Sequence, residues 1–283
     1  MIVPDDYRQE SRTRWARSAA GWQARREEMR TATMPVSVWM VEALDPQPGH
    51  ELLELAAGIG DVGFLAAEMI APGGTLICSD FVPEMLTAAQ ARARELGIEN
   101  VRFRQIDASQ SIDQPAASLD GVLCRWGYML MEDSENALRE TRRILRPGAR
   151  VALAAWAGPE ENRWASTPMR ELVLRGIVER PDPEAPGQFA WAREGMIAER
   201  LQDAGFGEHR VEALGFVMAY ASFEAYIDTL RDLALALRET LDGLDPATRE
   251  DVLAAVRLQA EEHTLPDGSL AIPARTWVAA ATA

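Results

Sequence analysis

The sequence predicts an α/β fold built on a seven-stranded, mostly parallel sheet with helices on both faces. Three observations carry the prediction. Strand-like and helical runs alternate with short links across residues 50–156, the pattern of parallel strands joined by crossover helices. A strand-to-helix loop of small residues, Glu54-Leu-Ala-Ala-Gly58-Ile-Gly60-Asp-Val-Gly63, stands at the head of that alternation. Two later strand-like runs, 209–214 and 269–280, complete the sheet.

The elements follow in order. Residues 5–30 are rich in arginine and glutamate, and Tyr7, Trp15 and Trp22 form one aromatic stripe on a helix. Residues 34–44 suggest a second helix with Pro35 in its first turn, broken by Asp45-Pro-Gln-Pro-Gly49. Strands are expected at 51–57, 75–79, 100–105, 119–125 and 151–156, and helices at 62–70, 83–96 and 134–145. Residues 157–193 combine prolines with Trp164, Phe189 and Trp191, which reads as an inserted cap with one helix near 167–179. Helices at 194–204, 222–241 and 246–262 surround the last two strands. The division is an N-terminal helical arm (1–45), a core (46–156), the cap insertion (157–193) and a C-terminal part completing the sheet (194–283).

Composition narrows the function. The chain has 283 residues, 47% of them hydrophobic, which is enough for a full core. No apolar run approaches the roughly 20 residues of a membrane helix, and the start, Met1 to Tyr7, is too polar for a signal peptide. A cytoplasmic protein without membrane insertion is expected. The net charge is −15 and the chain has no lysine; such an acidic surface repels phosphate backbones, so nucleic acid is not an expected partner. Cys78 and Cys124 lie in apolar strand-like runs and read as buried thiols. His50, His209 and His263 stand in unrelated contexts, and no metal is expected.

The glycine loop is the most informative segment. Glycines let the backbone approach a ligand and adopt positive φ, and the following helix start favours a negative group. Asp80, just past the next strand, is placed to accept hydrogen bonds from ribose hydroxyls. Together they indicate a nucleoside cofactor at the switch point of an open sheet. The string Gly58-x-Gly60-x-x-Gly63 also fits a dinucleotide fingerprint. Glu54 speaks against it, because a carboxylate facing the pocket suits an ammonium group and not a pyrophosphate.

Downstream residues resemble a known family. Asp80-Phe-Val-Pro-Glu-Met-Leu through Gly97, Val101-Arg-Phe-Arg-Gln-Ile-Asp107-Ala108, Leu119–Trp126 and Ala137–Gly148 with Val151–Trp156 are similar, in order and spacing, to class I S-adenosylmethionine-dependent methyltransferases. The nearest group is the ubiquinone and menaquinone biosynthesis methyltransferases. The resemblance implies a Rossmann-like sheet with an antiparallel final strand, and S-adenosylmethionine as cofactor. It places Ala56, Gly58 and Gly60 around the methionine part, Asp80 on the ribose, and Asp107 with the Ala108 N–H on the adenine. Phe81 and Met85 would flank the adenine, although core packing explains them nearly as well. Arg125 has three readings: backbone offered to the methionine amino group, a guanidinium facing substrate, or a partner for a structural carboxylate. Ala56 departs from the glycine many relatives carry.

Trp22, Trp126, Tyr128, Trp164, Phe189 and Trp191 are the candidate substrate wall, with packing the plain alternative. No general base declares itself; Tyr128 is the one candidate proton acceptor. Displacement at a sulfonium needs alignment and desolvation more than acid–base help. The expected activity is methyl transfer to O, N or C of a small, partly aromatic metabolite. A non-catalytic regulator binding the same cofactor and an NAD-dependent oxidoreductase are the alternatives, and homodimerisation is left open.

Overall fold

A computed structural model describes residues 4–283; the first three residues of the arm lie outside the described part. Two helices lead, α1 (Pro4–Ala24) and α2 (Arg26–Leu44). The break falls at Arg25, with φ −95° and ψ 9°, and not after residue 30; the Arg25 guanidinium bonds Asp232 at 2.7 Å. Pro35 consequently lies inside α2.

Next come β1 (Glu51–Glu54), α3 (Asp61–Met69), β2 (Thr75–Asp80), α4 (Pro83–Leu96), β3 (Val101–Gln105), β4 (Leu119–Arg125), α5 (Ser134–Ile144) and β5 (Leu145–Trp156). The remainder is α6 (Arg163–Leu174), α7 (Met196–Asp203), β6 (His209–Tyr220), α8 (Phe223–Leu233), α9 (Leu235–Gly243), α10 (Pro246–Ala260) and β7 (Leu270–Thr282). The sheet order is β3-β2-β1-β4-β5-β7-β6. Only β7 runs antiparallel to its neighbours, as expected of the final strand.

The central strands are apolar on both faces because helices cover both: Leu52, Leu53, Leu76, Cys78, Val122, Leu123 and Cys124 are fully buried. Both cysteines are free, and burial pushes their thiols up. Several boundaries differ from the sequence reading, among them β5, which begins six residues earlier at Leu145. Strand β6 runs six residues further, since each of its residues to Tyr220 pairs along β7. The expected helix 222–241 is two helices, parted at Ala234 with φ −114° and ψ 90°. Helix α6 begins at Arg163, where buried Asn162 ties the segment down: its side chain donates to the Ala157 and Arg275 carbonyls and accepts the Arg275 N–H.

Past Trp156, which pairs with Thr276, β7 and β6 continue as a two-stranded ribbon ending at Leu270 and Tyr220. The ribbon, α6 and α8–α10 pack together beyond the carboxyl end of β5. The arm crosses the same end of the sheet, with α1 seated between α4 and α8.

Candidate active site

In this strand order the chain leaves β1 towards β2 and later returns on the other side as β4. The loops after β1 and β4 therefore face each other across the crevice where such sheets bind ligands. The first loop holds three successive left-handed positions, Ala56 (φ 49°), Gly58 (φ 55°) and Gly60 (φ 87°); the second begins with Trp126 (φ 58°). Left-handed backbone is unfavourable for alanine and more so for tryptophan, and such residues gather at functional sites. The two turns abut closely: a Cβ added to Gly127 would lie 2.7 Å from the Ala56 Cβ and 2.6 Å from the Cys124 Sγ.

Asp80 closes β2 and is buried. One carboxylate oxygen accepts the Gly58 N–H and the other the Val82 N–H, both at 2.9 Å. Burial lifts its carboxyl to about 6, and the backbone donors hold that rise back. A carboxylate has about four acceptor sites, so capacity remains beyond these backbone donors.

The Glu54 side chain lies against the first turn of α3: a Cβ on Gly63 would fall 2.3 Å from its Oε2. Gly63 is thus the space in which the carboxyl sits, and its N–H, third in α3, is the donor that offsets some of the burial. Gly60, which precedes α3, has no side chain to cap it, so Glu54 serves that end from the neighbouring strand. Desolvation raises its carboxyl to about 8, and Oε2 has no hydrogen-bond partner among the described residues.

The adenine-side expectations fall together. Phe81, Met85, Val82, Ala88 and Ile59 of the glycine loop form one apolar strip, and Trp15, Ala16, Ala19 and Trp22 of α1 pack on it. The Asp107 carboxylate accepts the Ser109 N–H at 3.1 Å, beside buried Ala108.

Of the two side-chain readings of Arg125, the structure shows the partner of a structural carboxylate. Its guanidinium bonds Asp61 at 3.2 Å and the Thr33 and Ser37 hydroxyls of α2 at 2.7 and 3.0 Å, with Trp126 beneath it at 4.8 Å. Asp61, buried at the start of α3, also lies 3.7 Å from Arg92 of α4, which in turn bonds Glu27 of α2 at 3.1 Å. This network joins arm, glycine loop and strand end. The sequence reading missed Asp61, Arg92, Thr33 and Ser37. Asp61 could have been found, since it directly follows Gly60; the other three are ordinary helix residues in sequence.

The aromatic wall divides in two. Trp126 stacks on Trp156 at 4.2 Å and donates its indole N–H to Thr276 at 2.9 Å. Trp164 and Phe216 meet Trp156 at 5.2 and 5.8 Å. This group stands where β4 and β5 end; Trp156 and Phe216 were not anticipated. Tyr128 and Trp191 form a separate stack, 5.8 Å apart, and Phe189 is half-buried against the core. Tyr128 is 1% exposed and its hydroxyl is bonded to Thr141 of α5 at 2.7 Å. Burial pushes that phenol well above its usual range. The proton acceptor expected at Tyr128 is corrected accordingly: its oxygen faces α5 and resists ionisation.

The strand order, the left-handed loop after β1 and the acid ending β2 define a class I S-adenosylmethionine-dependent methyltransferase, and Asp80 with its remaining acceptor capacity fits the ribose of that cofactor. The chain belongs to the ubiE/COQ5 methyltransferase family, whose pattern it matches over residues 37–165. It is 36% identical over 199 residues to the demethylmenaquinone methyltransferase of Thermus thermophilus, an alignment covering 66% of this chain and 80% of that enzyme. It is 32% identical over 188 residues to nocamycin O-methyltransferase of Saccharothrix syringae, covering 62% and 66%. The solved structure of the YcgJ protein from Bacillus subtilis has the same fold, with a TM-score of 0.55 at 20% identity over 87% of this chain and 97% of that one. Among the described residues no helix is long and apolar enough to cross a membrane, and no cluster of acidic, histidine and cysteine side chains could hold a metal.

Proposed function

We propose that the chain transfers a methyl group from S-adenosylmethionine to a small, oxygen-bearing aromatic acceptor. The observation that carries this reading is the group Trp126, Trp156, Trp164 and Phe216, gathered where β4 and β5 end beside the glycine loop. An aromatic wall there suits a flat acceptor and favours the sulfonium cation. The named substrate of one relative, demethylmenaquinone, supports an aromatic acceptor, and the name of the other, nocamycin O-methyltransferase, supports transfer to oxygen.

The cofactor supplies an electrophilic methyl on its sulfonium. Asp80 holds the ribose hydroxyls, Asp107 and the Ala108 N–H take the adenine, and the left-handed loop admits the methionine part. The arm and the helices beyond β5 exclude water, which protects the displacement and strengthens local electrostatics. With Tyr128 committed to Thr141, the chain works by alignment, and the acceptor loses its proton to solvent before or after transfer.

The test is conversion of S-adenosylmethionine to S-adenosylhomocysteine with a panel of phenols, quinols and amines. Turnover with the oxygen-bearing aromatics is expected. Binding of S-adenosylhomocysteine without turnover on any acceptor would favour a regulator on this fold.

A further inference from the structure

Buried polar atoms in folded proteins nearly always have partners, and an exception calls for a reason. Two such exceptions lie where the arm meets the end of β6 and α8. The Tyr220 hydroxyl, at the end of β6, is buried and has no hydrogen-bond partner among the described residues; the same holds for the Trp22 indole nitrogen of α1.

Both belong to one junction. Gly21, next to Trp22, lies so near α8 that an added Cβ would fall 2.0 Å from the Asp232 carbonyl oxygen. The first turn of α2 meets the same helix, where Glu28 accepts the Thr229 hydroxyl at 3.2 Å. Tyr220 runs directly into α8 through Ser222, and its ring meets Tyr226 of that helix at 5.0 Å. Trp22 packs both on the Ile59–Phe81–Met85 strip and on the main core. It thus stands between the cofactor strip and the main core.

We infer that Trp22 and Tyr220 are specificity-determining residues that hold the oxygen of the acceptor at this junction. The inference rests on the methyl-transfer reading and adds where the acceptor lies and what it must carry. An indole N–H can only donate, and a phenol donates readily. Their ligand must therefore present acceptor oxygen, as a phenol, quinol or quinone does. Tyr226, whose ring meets Tyr220, donates its hydroxyl to the Trp164 carbonyl at 2.8 Å, which joins this junction to the aromatic wall that receives the flat body of the acceptor.

The test uses 1,4-dihydroxynaphthalene as probe, kept reduced, in calorimetry on the full chain saturated with S-adenosylhomocysteine. The parent should bind it, and Tyr220→Phe and Trp22→Phe should each weaken binding at least about fivefold. S-adenosylhomocysteine affinity should stay within about twofold in Tyr220→Phe, the variant that leaves the cofactor strip untouched. Tyr220→Phe removes an unsatisfied buried oxygen, so its melting temperature without ligand should equal or exceed the parent's, which separates lost recognition from misfolding. Failure of the parent to bind the probe, variants that bind it as the parent does, or, in Tyr220→Phe, equal losses for probe and S-adenosylhomocysteine would each overturn the inference. S-adenosylhomocysteine binding by the parent tests the underlying reading separately.

Discussion

The Asp80 carboxylate accepts the backbone N–H of Gly58 at 2.9 Å, so the end of β2 fixes the loop that leaves β1. The same side chain is therefore asked to shape the loop and to receive the ribose. Asp80→Asn keeps the size but exchanges one acceptor oxygen for a donor. S-adenosylhomocysteine affinity should fall about 10- to 100-fold, the loss of one or two charge-assisted bonds. Because burial lifts this carboxyl to about 6, the parent's affinity should also decline as pH drops through that value. The asparagine variant should lack that decline. Calorimetry across the range reads both, and a pH-independent parent would remove Asp80 from the ribose.

Glu54 makes a prediction about stability. Its carboxyl lies near 8 in the folded chain against 4.5 when exposed. Between those values the native state holds a proton that the unfolded state has released. Stability from this group is complete below the lower value and is lost as pH rises towards the upper one, at a slope approaching about 1.4 kcal/mol per pH unit. Glu54→Gln should flatten this part of the pH profile and leave the protein more stable than the parent at alkaline pH. Thermal unfolding of both proteins over that window is the measurement; parallel profiles would count against the protonated carboxyl.

The Arg125–Asp61 pair should couple strongly. Arg125→Met leaves Asp61 buried with only the more distant Arg92, at a cost of about 3 kcal/mol. Adding Asp61→Asn to that variant should recover a large part of the loss, because no unpaired charge then remains. Denaturant unfolding of the two single variants and the double variant closes the cycle, and simple additivity would show that the pair is not coupled.

Tyr128→Phe should retain turnover within about twofold while losing about 1 kcal/mol of stability with the Thr141 hydrogen bond. A tenfold or larger fall in kcat at unchanged KM would return Tyr128 to the chemistry.

Much of this was legible in the sequence, for reasons that differ by element. The five-strand alternation was readable because the inner strands are apolar runs bounded by turn residues, as in Thr75–Asp80, while β3 at the edge alternates apolar and polar residues. The glycine loop and Asp80 are local in sequence, so their juxtaposition needed no knowledge of packing. The direction of a side chain was not local. Glu54 lies against the first turn of α3 because Gly63 leaves room there, and Tyr128 turned towards Thr141 because α5 packs behind it. The length of β6 was hidden for a similar reason: its outer half is fixed by pairing with β7, not by its own composition.

The position of β7 bears on how the molecule acquires its shape. It is the last strand in chain order, yet it lies between β5 and β6. The β1–α3–β2 and β2–α4–β3 units can assemble from near neighbours, but the β5–β7 ladder must close across five helices and β6. Such distant pairing is slow, and until it forms β5 presents an open edge to other chains. Substitutions along β7 are expected to speed unfolding while hardly changing the early folding rate, and aggregation during refolding should be most sensitive to the same thirteen residues.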